Sequence, residues 1–205
     1  MPFRRPDANE ARNKHHSSHL DRYGPWAVVT GASDGIGRAI ATQLAAEGFG
    51  LVLVARRKSI LSEFAEDLAA RYDTKTRIIQ ADLGSDEGTA AVEAETADLE
   101  VGLLVAAAGF GTSGLFVDGD LDSELDMSSV SCQAIAALTH GFAKRLVKRG
   151  RGGIILMSSL VAFQGVPRAT NYSATKAYVQ SFAEGLAVEL SPHGVDVVAS
   201  APGPV

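Results

Sequence analysis

The 205-residue sequence predicts an α/β fold, a doubly wound parallel sheet with helices on both faces. Apolar runs of strand length alternate with amphipathic stretches of helix length along nearly the whole chain. The strand-like runs are apolar throughout, not at every second position, which marks strands covered on both faces. Each is joined to the next by a helix, the connection that parallel strands require.

The elements follow in order. "WAVVT" (26–30) reads as the first buried strand. Residues 35–48 read as a helix, with Ile36, Ile40 and Leu44 on one face and Gly48 as its stop. "LVLVA" (51–55) is a second strand, and 58–72 a helix with Leu61, Phe64 and Leu68 in register. A strand at 77–81, a helix at 85–97 and a strand at 101–108 come next. One long helix is expected over 121–149, then a strand at 153–158. A helix over 171–191, ending near Pro192 and Gly194, leads to a sixth strand at 195–200.

Residues 1–23 differ: they are polar, with almost no aliphatic side chains, and are expected to form a flexible tail ahead of a domain at 24–205. His15, His16 and His19 lack a Cys or acidic ligand at suitable spacing, so no metal site is expected. The tail has no apolar stretch of the kind a secretory signal carries. Hydrophobic residues make up 46% and charged residues 21%, with a net charge of −5. That balance offers no bulk attraction to nucleic acid or to an anionic membrane. No apolar run approaches the length of a membrane span. The single cysteine, Cys132, cannot form an intrachain disulfide, and a reducing, cytoplasmic compartment is the simplest expectation.

In a doubly wound sheet ligands bind beyond the carboxyl ends of the strands, at the switch point. The first strand ends in "TGASDGIG" (30–37). Gly31, Gly35 and Gly37 let the backbone turn tightly and approach a phosphate, and the following helix offers unpaired N–H groups. A glycine-rich turn without a ligand is the alternative. The second strand ends in "VARRK", without the acid that bonds a ribose 2′-hydroxyl. Arg56, followed by Arg57, suits a 2′-phosphate, and Ser33 could add a hydroxyl donor. The expected cofactor is therefore NADP(H), with NAD(H) less favoured.

These motifs, with "ADL" after the third strand, "AAAG" after the fourth, "SS" after the fifth, "YSATK", and "PG" after the sixth, occur in an order that resembles the short-chain dehydrogenases/reductases. The resemblance spans about residues 25–205 and implies a Rossmann-like fold. It places Gly31, Gly35, Ile36 and Gly37 along the cofactor pyrophosphate and ribose. It sets Asp82 and Leu83 at the adenine, and Ala108 and Gly109 beside the adenine-side ribose. Pro202 and Val205 match residues that meet the nicotinamide. Ser159, thirteen residues before Tyr172, matches the catalytic serine. Tyr172 matches the acid/base, and Lys176 its helper and ribose ligand.

The Tyr–Lys pair is chemically intelligible by itself. A ketone needs a proton on oxygen as hydride reaches carbon. A tyrosine is poorly ionised near neutrality, and an adjacent ammonium favours its phenolate. Residues four apart share one helix face.

The sequence also departs from the family pattern. Ala106 and Ala107 stand where the family has a bracing asparagine, so that support is missing or replaced. Ser131 stands where the family has an asparagine that holds a relay water, which predicts a weakened relay. The chain ends at "APGPV", so the family's lid helix and seventh strand are expected to be lacking.

The resemblance implies a carbonyl or secondary alcohol substrate, and Phe110, Leu115, Phe116, Leu160, Val161, Phe163 and Val166 suit an apolar one. It also implies a homodimer built on the helices at 121–149 and 171–191. A cofactor-binding protein with little turnover is the alternative function. A methyltransferase is disfavoured by the placement of Ser159, Tyr172 and Lys176.

Overall fold

The structure, a computed structural model, describes residues 19–203. Six parallel strands form one sheet: β1 (Trp26–Thr30), β2 (Gly50–Ala55), β3 (Thr76–Gln80), β4 (Val101–Ala106), β5 (Gly152–Met157) and β6 (Val195–Ser200). Their order is β3-β2-β1-β4-β5-β6. The chain winds outward from β1 to β3, then crosses back to lay β4 against the other side of β1. The order thus reverses between β1 and β4, which opens a crevice at the carboxyl ends of these strands.

Helices α1 (Gly35–Ala46) and α2 (Lys58–Tyr72) cover one face of the sheet. Helix α3 (Asp86–Glu95) covers the other, with α5 (Ala134–Arg149) and α6 (Thr170–Leu190). Each face has its own apolar core. In β1, Ala27 and Val29 enter one core and Val28 the other, all fully buried. That two-sided burial is what the unbroken apolar runs encode.

Three expectations need correction. First, Ile40 and Leu44 pack on the core from α1, but with Ile36 they are only partly buried, and the residues set deepest are Gly37, Ala41 and Ala45. Small residues four apart let this helix lie tight against the sheet. Second, the helix expected over 121–149 is α4 (Leu121–Ser128), a π-helical turn (Ser129–Gln133) and α5. The turn's sequence, SVSCQ, is poor in helix formers, and polar Ser side chains compete for backbone groups. Third, residues 19–23 are helical, not part of a tail. Leu20 and Tyr23 pack on the α1–α2 core. Arg22 donates to the Asp196 carboxylate at 2.7 and 2.9 Å, and the Tyr23 hydroxyl donates to it at 2.6 Å. Leu20, Arg22 and Tyr23 together anchor a segment that is polar on average. Residues 1–18, with His15 and His16, lie outside the described residues.

Candidate active site

A cleft of about 660 Å³ opens where the strand order reverses. Its floor is the glycine turn after β1. Gly31 has φ +67°, and a Cβ there would lie 2.9 Å from the Ala107 carbonyl oxygen. A Cβ on Gly37 would lie 2.5 Å from the Gly31 carbonyl oxygen. Both glycines are therefore required by close backbone approach. Gly35 has φ +53° and open space where its Cβ would be. Asp34 caps α1, its carboxylate accepting from the Gly35 amide at 2.8 Å. Ser33 and Ile36 also line the cleft. The turn is a cradle of backbone at a helix N-terminus, suited to a diphosphate.

The ends of β2 and β3 form one wall. Arg56 and Arg57 both line it. Arg57 is the one that crosses to the turn: its Nη2 donates to Ser33 Oγ at 3.4 Å and lies 3.8 Å from the Asp34 carboxylate. Both partners of that ion pair are exposed, so it is weak and leaves the guanidinium available to an anion. Asp82 and Leu83 line the cleft below. The Asp82 carboxylate accepts from the Gly84 amide at 3.0 Å, which fixes the turn into α3.

Beyond β4 the backbone passes close to the glycine turn at Ala107, Ala108 and Gly109. The missing asparagine brace is replaced by Thr30, whose Oγ1 accepts from the Ala107 and Ala108 amides, each at 3.0 Å. These two residues leave the ladder, so β4 ends at Ala106, not 108 as expected. Thr30 carries out from β1 the bracing expected from the fourth strand's own motif.

Tyr172 and Lys176 stand on the opposite wall, one turn apart on α6. Lys176 is 5% exposed. Its Nζ donates to the Met157 carbonyl at 2.9 Å and lies 5.5 Å from the centroid of the Tyr172 ring. Burial pushes the Lys176 ammonium below the usual lysine range, and the Cys132 thiol opposes that slightly. A Cβ on Gly111 would lie 3.2 Å from Tyr172 Cδ2, so this glycine seats the ring. A Cβ on Gly109 would lie 3.6 Å from Lys176 Nζ and 3.7 Å from Ser131 Oγ. The Ser131 hydroxyl is fully buried and has no hydrogen-bond partner among the described residues. It stands in the π-helical turn, close to the lysine.

The two serines after β5 diverge. Ser158 lines the cleft, but its hydroxyl is committed to the Lys176 carbonyl at 3.0 Å. Ser159 is not on the cleft wall; its Oγ accepts from the Val161 amide at 3.4 Å and caps the 3-10 turn Leu160–Phe163. Pro202 lines the cleft, and its carbonyl accepts from the Leu160 amide at 3.1 Å. Val205 lies outside the described residues. Sequence reasoning missed Thr30, Gly111, Ser158 and Asn171 as members of the site or its supports. Thr30 and Ser158 lay within quoted motifs, "TGASDGIG" and "SS", and Gly111 is a further glycine two residues past Gly109, whereas nothing local marked Asn171.

The comparisons agree with this architecture. The family model described as "short chain dehydrogenase" matches residues 25–205. The chain is 37% identical over 176 residues to the very-long-chain 3-oxoacyl-CoA reductase-B of Danio rerio. That match covers 84% of this chain and 57% of the relative, so the chain spans little more than half the relative's length. Among solved structures, a short-chain dehydrogenase from Sphingobium yanoikuyae in complex with NADPH superposes with a TM-score of 0.86 at 36% identity, covering 89% of this chain and 72% of that one. The bulky-bulky ketone specific alcohol dehydrogenase from Comamonas testosteroni gives a TM-score of 0.85 at 36% identity, covering 88% of this chain and 73% of that one. With a dinucleotide-type glycine turn, a Tyr–Lys pair facing it across one cleft, and a family model spanning the whole sheet, the chain belongs to the short-chain dehydrogenase family.

Proposed function

We infer that the protein is an NADP(H)-dependent oxidoreductase that transfers a hydride between nicotinamide and a carbonyl or secondary alcohol carbon. The observation that carries this reading is the shared cleft: Tyr172 and Lys176 face the glycine turn across it. A nicotinamide dinucleotide bound there supplies or accepts the hydride.

The chain's own residues do the rest. Gly31, Gly35 and Gly37 present backbone N–H groups to the diphosphate, with Ile36 beside them. Arg57, with Arg56 next to it and Ser33 opposite, receives the 2′-phosphate, and Arg57's exposed pair with Asp34 is the contact it gives up. Asp82 and Leu83 hold the adenine, and Ala108 and Gly109 flank its ribose. Pro202, and Val205 beyond the described residues, meet the nicotinamide end. Tyr172 gives the substrate oxygen its proton during reduction and takes it back during oxidation. The buried Lys176 ammonium stabilises the phenolate this leaves, and Ser159, whose Oγ accepts from Val161 but keeps its own proton to donate, steadies the substrate oxygen once its hydroxyl turns to the cleft. Ser131 can hold a relay water beside Lys176, which would satisfy its orphaned hydroxyl.

An apolar carbonyl compound fits the cleft's surroundings. Phe110 sits on the wall, and Leu115, Phe116, Leu160 and Phe163 are more than half exposed on the adjoining loops. Large apolar side chains held in water beside a cleft favour an apolar ligand. Two copies of the chain associate through α5 and α6, where an apolar groove of about 500 Å³ is lined by Ala143, Val147, Phe182 and Leu186. The single cysteine suits a reducing, cytoplasmic setting. Among the described residues no helix is long and apolar enough to cross a membrane.

The test is NADPH and NADH binding by fluorescence, then oxidation of NADPH against a panel of ketones and aldehydes, with Tyr172→Phe as control. Turnover that Tyr172→Phe abolishes supports the reading. One observation favours a second reading, a cofactor binder with little turnover: Ser159 is engaged with Val161 and does not line the cleft. Tight NADPH binding without turnover on any carbonyl would select it.

A further inference from the structure

Asn171 directly precedes Tyr172 in the first turn of α6. Its amide reaches across to α4. Nδ2 donates to the Glu124 carboxylate at 2.8 Å, to the Glu124 carbonyl at 3.0 Å and to the Ser128 hydroxyl at 3.3 Å. Glu124 is only 9% exposed. A carboxylate held that far from water needs a donor, and Asn171 supplies it. The Ser128 hydroxyl also donates to the Glu124 carbonyl, at 3.0 Å, so the contact closes on itself.

Two further features give this contact weight. Helix α6 lacks a local cap: Ala169 precedes it and makes no side-chain bond. The start of the helix is therefore held in part by α4, beside the local bonds of the Ser173 hydroxyl to the Thr170 carbonyl and the Val166 amide. In addition, α4 runs directly into the π-helical turn that carries Ser131, beside Lys176. One tertiary bond thus ties the segment bearing Ser131 to the turn bearing Tyr172.

We propose that Asn171 and Glu124 form a clamp that sets the position of Tyr172 in the cleft. This rests on the reading of Tyr172 as the proton donor. Asn171 is a positioning residue and is not on the cleft wall. The bond has a direction, because the amide donates and the carboxylate accepts. Asn171→Asp sets two carboxylates against each other. Asn171→Asp combined with Glu124→Gln restores the side-chain pair with its polarity reversed, at the same net charge, but leaves a carboxylate facing the Glu124 carbonyl to which Asn171 donates at 3.0 Å.

The experiment compares the wild type, Asn171→Asp, the double variant and Tyr172→Phe. It reads kcat and KM with NADPH and a turned-over ketone, and amide hydrogen exchange across residues 170–176 of the unliganded protein. Asn171→Asp is expected to lower kcat about 10- to 100-fold with KM for NADPH within about threefold, because misplacing the acid by a fraction of an ångström costs rate, not cofactor affinity. Exchange in the first turn of α6 becomes faster. The double variant recovers part of both losses, the share carried by the side-chain pair. Unchanged exchange in Asn171→Asp overturns the clamp whatever Tyr172 does. Full turnover in Tyr172→Phe sinks the reading of Tyr172 and leaves the exchange data to judge the contact alone.

Discussion

Lys176 and Tyr172 share a face of α6, with the lysine Nζ 5.5 Å from the centroid of the tyrosine ring and bonded to the Met157 carbonyl. The ammonium is thus placed by the end of β5 and buried beside the phenol. Its lowered pKa makes stability pH-dependent. The unfolded chain binds this proton more tightly than the native protein does. Burying the charged lysine therefore costs stability below the folded pKa, and the cost is relieved as pH rises from there toward the unfolded value of about 10.4. Lys176→Met removes the titration. Urea unfolding of both proteins, without cofactor, should show wild-type stability gaining on the variant as pH rises toward the ordinary lysine range. A constant difference would contradict the assignment. Turnover of the variant falls about 100-fold or more.

The two serines after β5 separate structure from chemistry. Ser158→Ala removes the buried bond to the Lys176 carbonyl and should cost about 1–3 kcal/mol, seen as a lower melting temperature. Ser159→Ala should leave the melting temperature nearly unchanged and lower kcat about 100-fold, if its hydroxyl turns to the substrate oxygen. The reverse pattern would assign the substrate contact to Ser158.

Thr30 braces the strand end that flanks the cleft. Thr30→Val keeps the shape and strands two amides, at a cost of about 1–3 kcal/mol each. NADPH affinity falls with it, because Ala108 and Gly109 shift. Thr30→Ser, which keeps the acceptor, should retain both properties. Calorimetry and a binding titration on the two variants decide the point.

Arg57, not Arg56, is bonded to the glycine turn. Arg57→Ala should weaken NADPH binding about 10- to 100-fold and leave NADH binding nearly unchanged, the loss of one charge-assisted contact. A larger effect from Arg56→Ala would move the 2′-phosphate to that residue. Tighter binding of NADH than of NADPH to the wild type would remove the site altogether.

Ser131 is buried, with no hydrogen-bond partner for its hydroxyl among the described residues, near Lys176. A relay weakened by this short side chain predicts that Ser131→Asn raises kcat. Unchanged or lower turnover in steady-state assays would show that the relay is not impaired.

Much of this molecule is written locally. Runs such as "LVLVA" and the spacing of Leu61, Phe64 and Leu68 fix strands and helices, because each depends on burial of neighbours within a few residues. The glycine turn is local only in part: Gly37 meets the Gly31 carbonyl within the turn, whereas Gly31 is crowded by Ala107 and Ala108, far along the chain. The Tyr–Lys pair needs only helical spacing to share a face. From these the fold class and most of the cleft wall could be read.

What the sequence left open depends on side chains far apart in the chain. Whether Arg56 or Arg57 crosses to Ser33, and whether Ser158 or Ser159 faces the cleft, turns on how strand ends exit the sheet. The ordering of residues 19–23 depends on Asp196, more than 170 positions away. Thr30 holding Ala107 and Ala108, and Asn171 holding Glu124, join segments that no local pattern connects. The sequence by itself determined most of the elements, the glycine cradle and the sharing of one helix face by Tyr172 and Lys176. Only the tertiary structure decided which hydrogen bonds brace them, because buried polar groups take whichever partners the packing brings within reach.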